Sequence, residues 1–322
     1  MENIAILTGG NSAEHDISLL SARTVLDNLD NKLYKGYLIY LHHDNLTLII
    51  NNKNIEINKD DFSCIYKGKK INFSKVFIAL HGPPAENGEI QNYLEGLNIG
   101  HTSCKAEISA LTFNKYQCNN KLRELGFICA KSILNTLEKP VTINNITDNI
   151  GLPCFIKPNE SGSSYGITKV IQSKNINSAI NSALEYSSEV IIEEYIKGRE
   201  LSCGVFLDGN VIDTLPITEI QSENEFFDYE AKYQGKSKEI TPAEITEELA
   251  LNIKEISTSV YNKLHLKGIC RIDFIVMENQ PYIIEINTIP GLSKESIIPQ
   301  QLEAANIKLT DFFTICLANV NN

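Results

Sequence analysis

Three oxygen-bearing side chains near the C-terminus have the types and spacing to hold a hard cation. Residues 271–291 read RIDFIVMENQPYIIEINTIPG, two β-strands joined by a tight turn around Glu278-Asn279-Gln280. On the first strand Arg271 and Asp273 are two residues apart and leave the same face; Glu285 and Asn287 repeat that spacing on the second. A hairpin brings Asp273, Glu285 and Asn287 together, and two carboxylates plus an amide oxygen suit Mg²⁺. Mg²⁺ held in this way generally also holds substrate phosphates. The competing reading is a pair of amphipathic strands with polar outer faces. The isoleucines and tyrosine around Glu285 weigh against it, because a carboxylate on an apolar strand needs a partner.

Other segments carry weaker signals. Residues 157–166 read KPNESGSSYG: Lys157 closes an apolar strand and a Gly/Ser-rich loop follows. Such a loop lets backbone N–H groups and serine hydroxyls meet phosphate oxygens, or it is a plain flexible hairpin tip. It is not a GxxxxGK[ST] loop, and GxGxxG is absent. In EEYIKGRE, residues 193–200, the strand end at Glu193-Glu194 could meet an adenine edge, and Glu200 could accept from ribose hydroxyls. Taken alone, charges at a strand end are more often solvated. Glu14, just after Gly9-Gly10, either binds a substrate ammonium or merely complements a helix dipole, and the local sequence favours the dipole. His15 and His81 belong to no legible Ser/His/Asp or Cys/His set.

Positioning these groups takes several sheets. Residues 1–105 alternate strand and helix: Ile4–Leu7 is a strand, the stripe Leu19, Ala22, Leu26 and Leu29 a helix, and Tyr37–Leu41 and Val76–Leu80 are buried strands. This predicts a small α/β domain with a parallel sheet. Residues 106–189 read as α+β, with a helix near Lys115–Gly126, strands at Cys154–Lys157 and Thr168–Ile171, and a helix over Asn177–Ser187. Residues 190–322 begin with the strand Val190–Glu194 and hold longer strands, an acidic helix near 244–264, the hairpin and a helix from about Leu309. The polar stretch 221–242 has little periodicity and reads as a lid loop.

The chain has 322 residues, 43% of them hydrophobic, and a net charge of −11. That suits two or three domains with full cores and disfavours a nucleic-acid binder, which usually shows a basic face. No apolar run reaches membrane-spanning length and no signal peptide is visible. The eight cysteines form no CxxC pair, so metal-thiolate and thioredoxin-like readings are weak and a reducing cytoplasm is the simplest fit.

Taken together the segments resemble the D-alanine–D-alanine ligases of the ATP-grasp superfamily. The resemblance runs nearly end to end through GGNSAEHDISLLSA, LHGPPAENG, KPNESGSSYG, EEYIKGRE, FFDYEAKY, RIDF and EINTIPGLSKESIIP. It implies a three-domain ATP-grasp fold that uses ATP with Mg²⁺ or Mn²⁺ to join two D-alanines through an acyl phosphate for peptidoglycan. It also implies a cytoplasmic homodimer. By resemblance Asp273, Glu285 and Asn287 are metal ligands; Lys115, Lys157, Ser164, Glu193, Glu194, Tyr195, Glu200 and Lys232 bind ATP. Arg271 and the Gly291 N–H match the donors to the tetrahedral oxyanion. Glu14 matches the residue holding the first D-alanine ammonium, which raises it above its local reading. His81 matches another first-subsite residue, and Ser296 the residue receiving the second carboxylate. Lys232 and Tyr233 fall in a mobile ω-loop, and Tyr233, Ser163 and Glu14 form a link across the closed cleft that excludes water.

The chain departs from the family pattern at Ser103 and Lys105, where glycines are expected, at Ala85, and at Ser161, often a carboxylate. Rival readings are a ligase taking D-serine or D-lactate second, disfavoured for D-lactate by Tyr233, and a non-catalytic ATP-grasp nucleotide-binding protein. A complete metal triad with an oxyanion donor argues against the latter.

Overall fold

The computed structural model describes residues 1–51, 53–162, 165–222 and 237–320. Three main sheets organise them. The N-terminal sheet holds β1 (Glu2–Gly9), β2 (Tyr34–His42), β3 (Asn45–Ile50) and β4 (Lys53–Glu56), followed past the ribbon β5 (Cys64–Tyr66) and β6 (Lys69–Ile71) by β7 (Lys75–Ile78) and β8 (Gly100–His101). Its order is β4-β3-β2-β1-β7-β8, parallel from β2 to β8 but antiparallel at β2-β3 and β3-β4. The expected parallel sheet is therefore mixed. The reason is local: the two-residue connection between β2 and β3 turns at His43, whose φ is 50°, and such short links join only antiparallel strands. Helices α1 (His15–Asp27) and α2 (Glu89–Gly96) belong to this part of the chain.

Next come α3 (Ala106–Phe113), α4 (Lys115–Glu124) and α5 (Ile143–Asn149), with β9 (Ser132–Thr136), β10 (Cys154–Pro158), β11 (Thr168–Val170), α6 (Ile176–Leu184) and β12 (Glu189–Glu194). Their sheet is antiparallel in the order β11-β10-β12-β9. It has its own core of Ile146, Ile156, Val170, Ile180 and Ile192. The third sheet contains β13 (Arg199–Asp208), β14 (Val211–Thr214), β15 (Thr218–Ser222), β16 (Ser237–Ile240), β17 (Cys270–Met277) and β18 (Gln280–Asn287). It packs with α7 (Glu247–Lys263), α4 and the strand residues Leu201, Ile272 and Phe274 in one core. The stretch expected as a loop at 221–242 begins and ends in strand, because β15 and β16 pair antiparallel from Glu219 opposite Ile240 to Ser222 opposite Ser237.

The N- and C-terminal parts share a core. Ile4, Ile6 and Phe77 of the first sheet pack with Ile298 and Leu302 of α8 (Ile297–Ala304) and with Phe312 and Phe313 of α9 (Leu309–Ala318). Phe77 meets Phe313 edge-on at 5.5 Å. Full burial of each such side chain contributes about 1.5–3 kcal/mol, so this contact fixes the first sheet against the end of the chain.

Candidate active site

A cleft of about 480 Å³ is lined from all three parts of the chain, by residues that include Glu14, His81, Lys157, Glu193, Glu200, Arg271 and Glu285. Its floor is the β17-β18 hairpin. The turn is two residues long, Glu278 and Asn279, with φ of 51° and 64°, the left-handed pair that matches strand twist. From that turn Phe274 pairs with Ile283, and an unbroken ladder would set Asp273 against Ile284. Instead the register slips by one between Asp273 and Phe274: Asp273 faces Glu285 and Arg271 faces Asn287. A bulge of this kind places two successive residues against one partner, and Ile284 and Glu285 both line the cleft.

Asp273 is buried at the centre of a dense network. Arg271 donates from Nε to Oδ1 at 2.9 Å and from Nη2 to Oδ2 at 2.8 Å, Asn287 donates from Nδ2 to Oδ2 at 2.8 Å, and the Ser202 hydroxyl also donates to Oδ1. Burial works against the Arg271 charge, but Asp273, with Glu285 and Glu239, more than offsets this and holds the guanidinium above its ordinary value. Among the described residues no three His, Cys, Asp or Glu side chains gather as a metal cluster. A cation here therefore relies on the Asn287 amide as third donor. The set fits Mg²⁺ chemically: Asp273 and Asn287 are in hydrogen-bond contact, and Glu285 is opposite Asp273. Turning the Asn287 amide over presents its oxygen, and Arg271 must release part of Asp273.

The opposite wall holds the lysines. Asn114 caps α4 by accepting from the Gln117 N–H, which sets Lys115 at the first helical position. Lys115 Nζ donates to the Ser161 carbonyl at 2.7 Å and stands 3.5 Å from Glu285 Oε1. Lys157 Nζ lies 2.6 Å from Glu193 Oε2, both side chains buried, and Asn119 donates to the other Glu193 oxygen at 2.6 Å. Glu193 is thus no solvated strand end. Glu194 accepts from the Lys131 N–H at 2.7 Å. Tyr195 packs edge-on to Phe155 and carries Lys169 over its ring at 4.2 Å. Ala130, Phe155, Ile196, Ile275 and Ile284 supply apolar walls beside Glu200, a slot suited to a flat ring.

Glu14 and His81 lie at the other end. Gly162 approaches Glu14 so closely that a Cβ there would stand 2.7 Å from Oε2, so the loop of residues 157–162 closes against the start of α1. His81 is buried, and burial lowers its pKa despite Glu14 nearby. Its ring bridges two segments: Nδ1 bonds the Ile289 carbonyl and Nε2 bonds Ser21 Oγ, each at 2.9 Å, while Ser21 accepts from the Leu292 N–H. Ser296 Oγ is 2.8 Å from Ser293 Oγ. A Cβ on Gly291 would come within 2.7 Å of Ser296 Oγ, so a side chain there would have to displace that hydroxyl.

Ser163, Ser164, Lys232 and Tyr233 lie outside the described residues. Ala85 is buried, Ser103 bonds Gln91, and the exposed Lys105 precedes α3; none of the three is among the residues that line the cleft. Ser161 stands in the cleft, where its carbonyl holds Lys115. Two cleft carboxyls escaped the sequence reading. Burial, then Glu14, pushes Glu86 up to about 8. Burial also raises Glu239, which accepts from Gln300 Nε2 at 2.6 Å. Glu86 lies inside the LHGPPAENG segment, whereas nothing around Glu239 announces it. The cysteines offer no nucleophile: all eight are free and buried, and burial pushes Cys118 and Cys129 up to about 12.

Residues 3–104 match the family described as D-ala D-ala ligase N-terminus, and residues 125–317 match D-ala D-ala ligase C-terminus. A D-alanine--D-alanine ligase of Flavobacterium johnsoniae is 44% identical over 98% of each chain, and one of Azobacteroides pseudotrichonymphae is 43% identical over 99% of this chain and 100% of its own. Among solved structures, the VanG D-Ala:D-Ser ligase from Enterococcus faecalis has a TM-score of 0.88 at 28% identity, covering 98% of each chain. The D-alanine--D-alanine ligase from Bacillus anthracis complexed with ATP has a TM-score of 0.81 at 28% identity, covering 99% of this chain and 97% of its own.

Proposed function

This chain belongs to the D-alanine–D-alanine ligase family, and we propose that it joins two D-alanines, driven by ATP, through an acyl phosphate, to supply D-alanyl-D-alanine for peptidoglycan. The observation that carries the reading is that Lys115, Lys157, Arg271, Glu285, Asn287 and Gly291 line one cleft, with Asp273 directly opposite Glu285 across the hairpin.

Lys115 and Lys157 take the ATP phosphates, each exchanging its present carboxylate partner for phosphate oxygens. The adenine occupies the apolar slot, with the backbone of Glu193–Tyr195 at its edge and Glu200 accepting from the ribose. Mg²⁺ held by Asp273, Glu285 and Asn287 would neutralise phosphate charge during transfer. The Glu14 carboxylate holds the first D-alanine ammonium, and its carboxylate attacks the γ-phosphate. His81 has both ring nitrogens committed within the protein, so its part is to hold residues 289–292 in place rather than to move a proton. When the second amine attacks the acyl phosphate, negative charge develops on the acyl oxygen, and Arg271 with the Gly291 N–H receives it. Ser296 receives the second carboxylate. Ser163, Ser164, Lys232 and Tyr233 take the roles the family assigns them in phosphate contact and closure.

We further propose three working parts at 1–105, 106–189 and 190–322, with the first and last sharing a core. The setting is the cytoplasm, in keeping with eight unpaired thiols and with no described helix long and apolar enough to cross a membrane. A homodimer follows from the family alone. A D-serine-accepting reading is favoured by the VanG likeness, while the name shared by the more identical relatives favours D-alanine. Incubation with ATP, Mg²⁺ and D-alanine, then with D-serine or D-lactate added, and identification of products by mass tests the assignment. Absence of any ATP- and D-alanine-dependent product overturns it.

A further inference from the structure

We propose that Glu239 is the base that removes a proton from the attacking amine. The inference rests on the ligation reading above. A second D-alanine arrives with its nitrogen as an ammonium, which has no lone pair and cannot attack a carbonyl. Some group at the acceptor end of the cleft must take a proton first.

That end is bounded by Arg271, Gly291, Ser293, Glu295, Ser296 and Glu239. The serines and the glycine offer no base near neutral pH, and Arg271 stays charged. Glu295 is exposed on the loop before α8. Glu14 and Glu86 stand at the first-substrate end, and Asp273 and Glu285 are committed to the triad. Glu239 remains. It is half-buried at the cleft wall on β16, and Gln300 of α8 aims it: Gln300 Nε2 donates to Oε2 at 2.6 Å while also donating to the Glu295 carbonyl at 3.0 Å. Among the described residues no hydrogen bond reaches its other oxygen. The charged group facing it is Arg271 from β17 and the polar group is Gln300 from α8; both lower its pKa, and burial outweighs them. A carboxylate made more basic than usual is suited to accepting a proton near neutrality. Its charge also acts on the Arg271 guanidinium, the group proposed above to receive the acyl oxygen.

In the step, the Glu239 carboxylate takes one ammonium proton and becomes neutral. The freed nitrogen pair forms the C–N bond to the acyl carbon, and the carbonyl π pair moves onto the oxygen beside Arg271. Collapse breaks the C–O bond to phosphate, whose oxygen keeps the pair and takes the second nitrogen proton. Glu239 then returns its proton to solvent.

The test uses the full chain with ATP, Mg²⁺ and D-alanine, comparing the unsubstituted enzyme with Glu239→Gln, whose amide oxygen still accepts from Gln300. Each is also assayed with hydroxylamine, an amine already neutral at neutral pH, as the acceptor. Glu239→Gln should lower kcat for D-alanyl-D-alanine about a hundredfold, with little change in KM for the second D-alanine and partial recovery as pH rises. D-alanine hydroxamate should form at the unsubstituted rate. Equal loss with both acceptors, or an unchanged peptide rate, overturns the proposal. No product from the unsubstituted enzyme overturns the ligase reading and this step with it.

Discussion

The two ends of the cleft handle charge in opposite ways. At the nucleotide end Lys157 is neutralised by Glu193 at 2.6 Å and Lys115 stands 3.5 Å from Glu285. At the amino-acid end carboxyls accumulate: Glu86 is held up to about 8 by burial and by Glu14, and Glu239 is raised by burial. The first end has its lysine charge compensated before any ligand arrives. The second carries a deficit of positive charge that two ammonium groups would fill. One half of the site is organised by its own ion pairs, and on the proposed reading the other would be completed by its substrates.

Glu285→Gln is the most damaging way to break this contrast, because Glu285 stands 3.5 Å from Lys115 and its charge also helps to raise Glu86. D-alanine-stimulated phosphate release should fall about a thousandfold or more with an unchanged melting curve; near-normal turnover would sink the triad. Arg271→Lys keeps a charge but loses the fork that grips Asp273 and, in the proposed reaction, would grip the acyl oxygen. Steady-state assays should show kcat down about a hundredfold, with the KM for ATP little changed.

Lys157→Met tests whether the nucleotide end is a prebuilt strut. Leaving Glu193 buried without its cation should cost about 3–5 kcal/mol in chemical denaturation. The double variant with Glu193→Gln should recover much of that stability without recovering ATP binding. A loss under about 1 kcal/mol for the single variant would mean the pair behaves like a surface ion pair.

The smallest effect concerns Glu86. Its folded value is about 8 against an ordinary 4.5, so across that window the folded state keeps a proton the unfolded chain has released. Stability from this group is complete below the lower value and drains away as pH climbs towards the upper one. Glu86→Gln should therefore melt with the native protein at about pH 5 and a few degrees above it at about pH 9. A variant equally or less stable at alkaline pH would show that Glu86 is not held against its charge.

Sequence made the hairpin residues easy to find, because strand alternation and a turn are local properties. Arg271, Asp273, Glu285 and Asn287 do share a face, but for a reason the spacing did not contain. The two-residue turn alone would set Glu285 on the wrong side, and the bulge at Ile284 restores it. Glu86 and Glu239 were illegible because their importance comes from what is packed around them, and no spacing records burial. The same holds for Glu193, whose strand-end position suggested solvent until Lys157 and Asn119 were seen to enclose it. The strand pair β15-β16 was hidden because its partners lie on either side of a polar stretch. The parallel core of the N-terminal sheet was legible in β1, β2 and β7, and only the antiparallel β3 and β4, which fold back on short turns, lay outside that reading.

The extra residue at Ile284 also governs how this segment can change length. A substitution in β18 alters one side chain, whereas adding or removing a residue ordinarily reverses the facing of everything beyond it. Here one loss is already provided for. Without Ile284, Ile283 would still meet Phe274, Glu285 would still meet Asp273, and the ladder would simply run flat. What would disappear is one wall of the apolar slot. The strand thus carries a spare position that separates the apolar wall from the charged group, so descendants of this sequence could refit the first without disturbing the second.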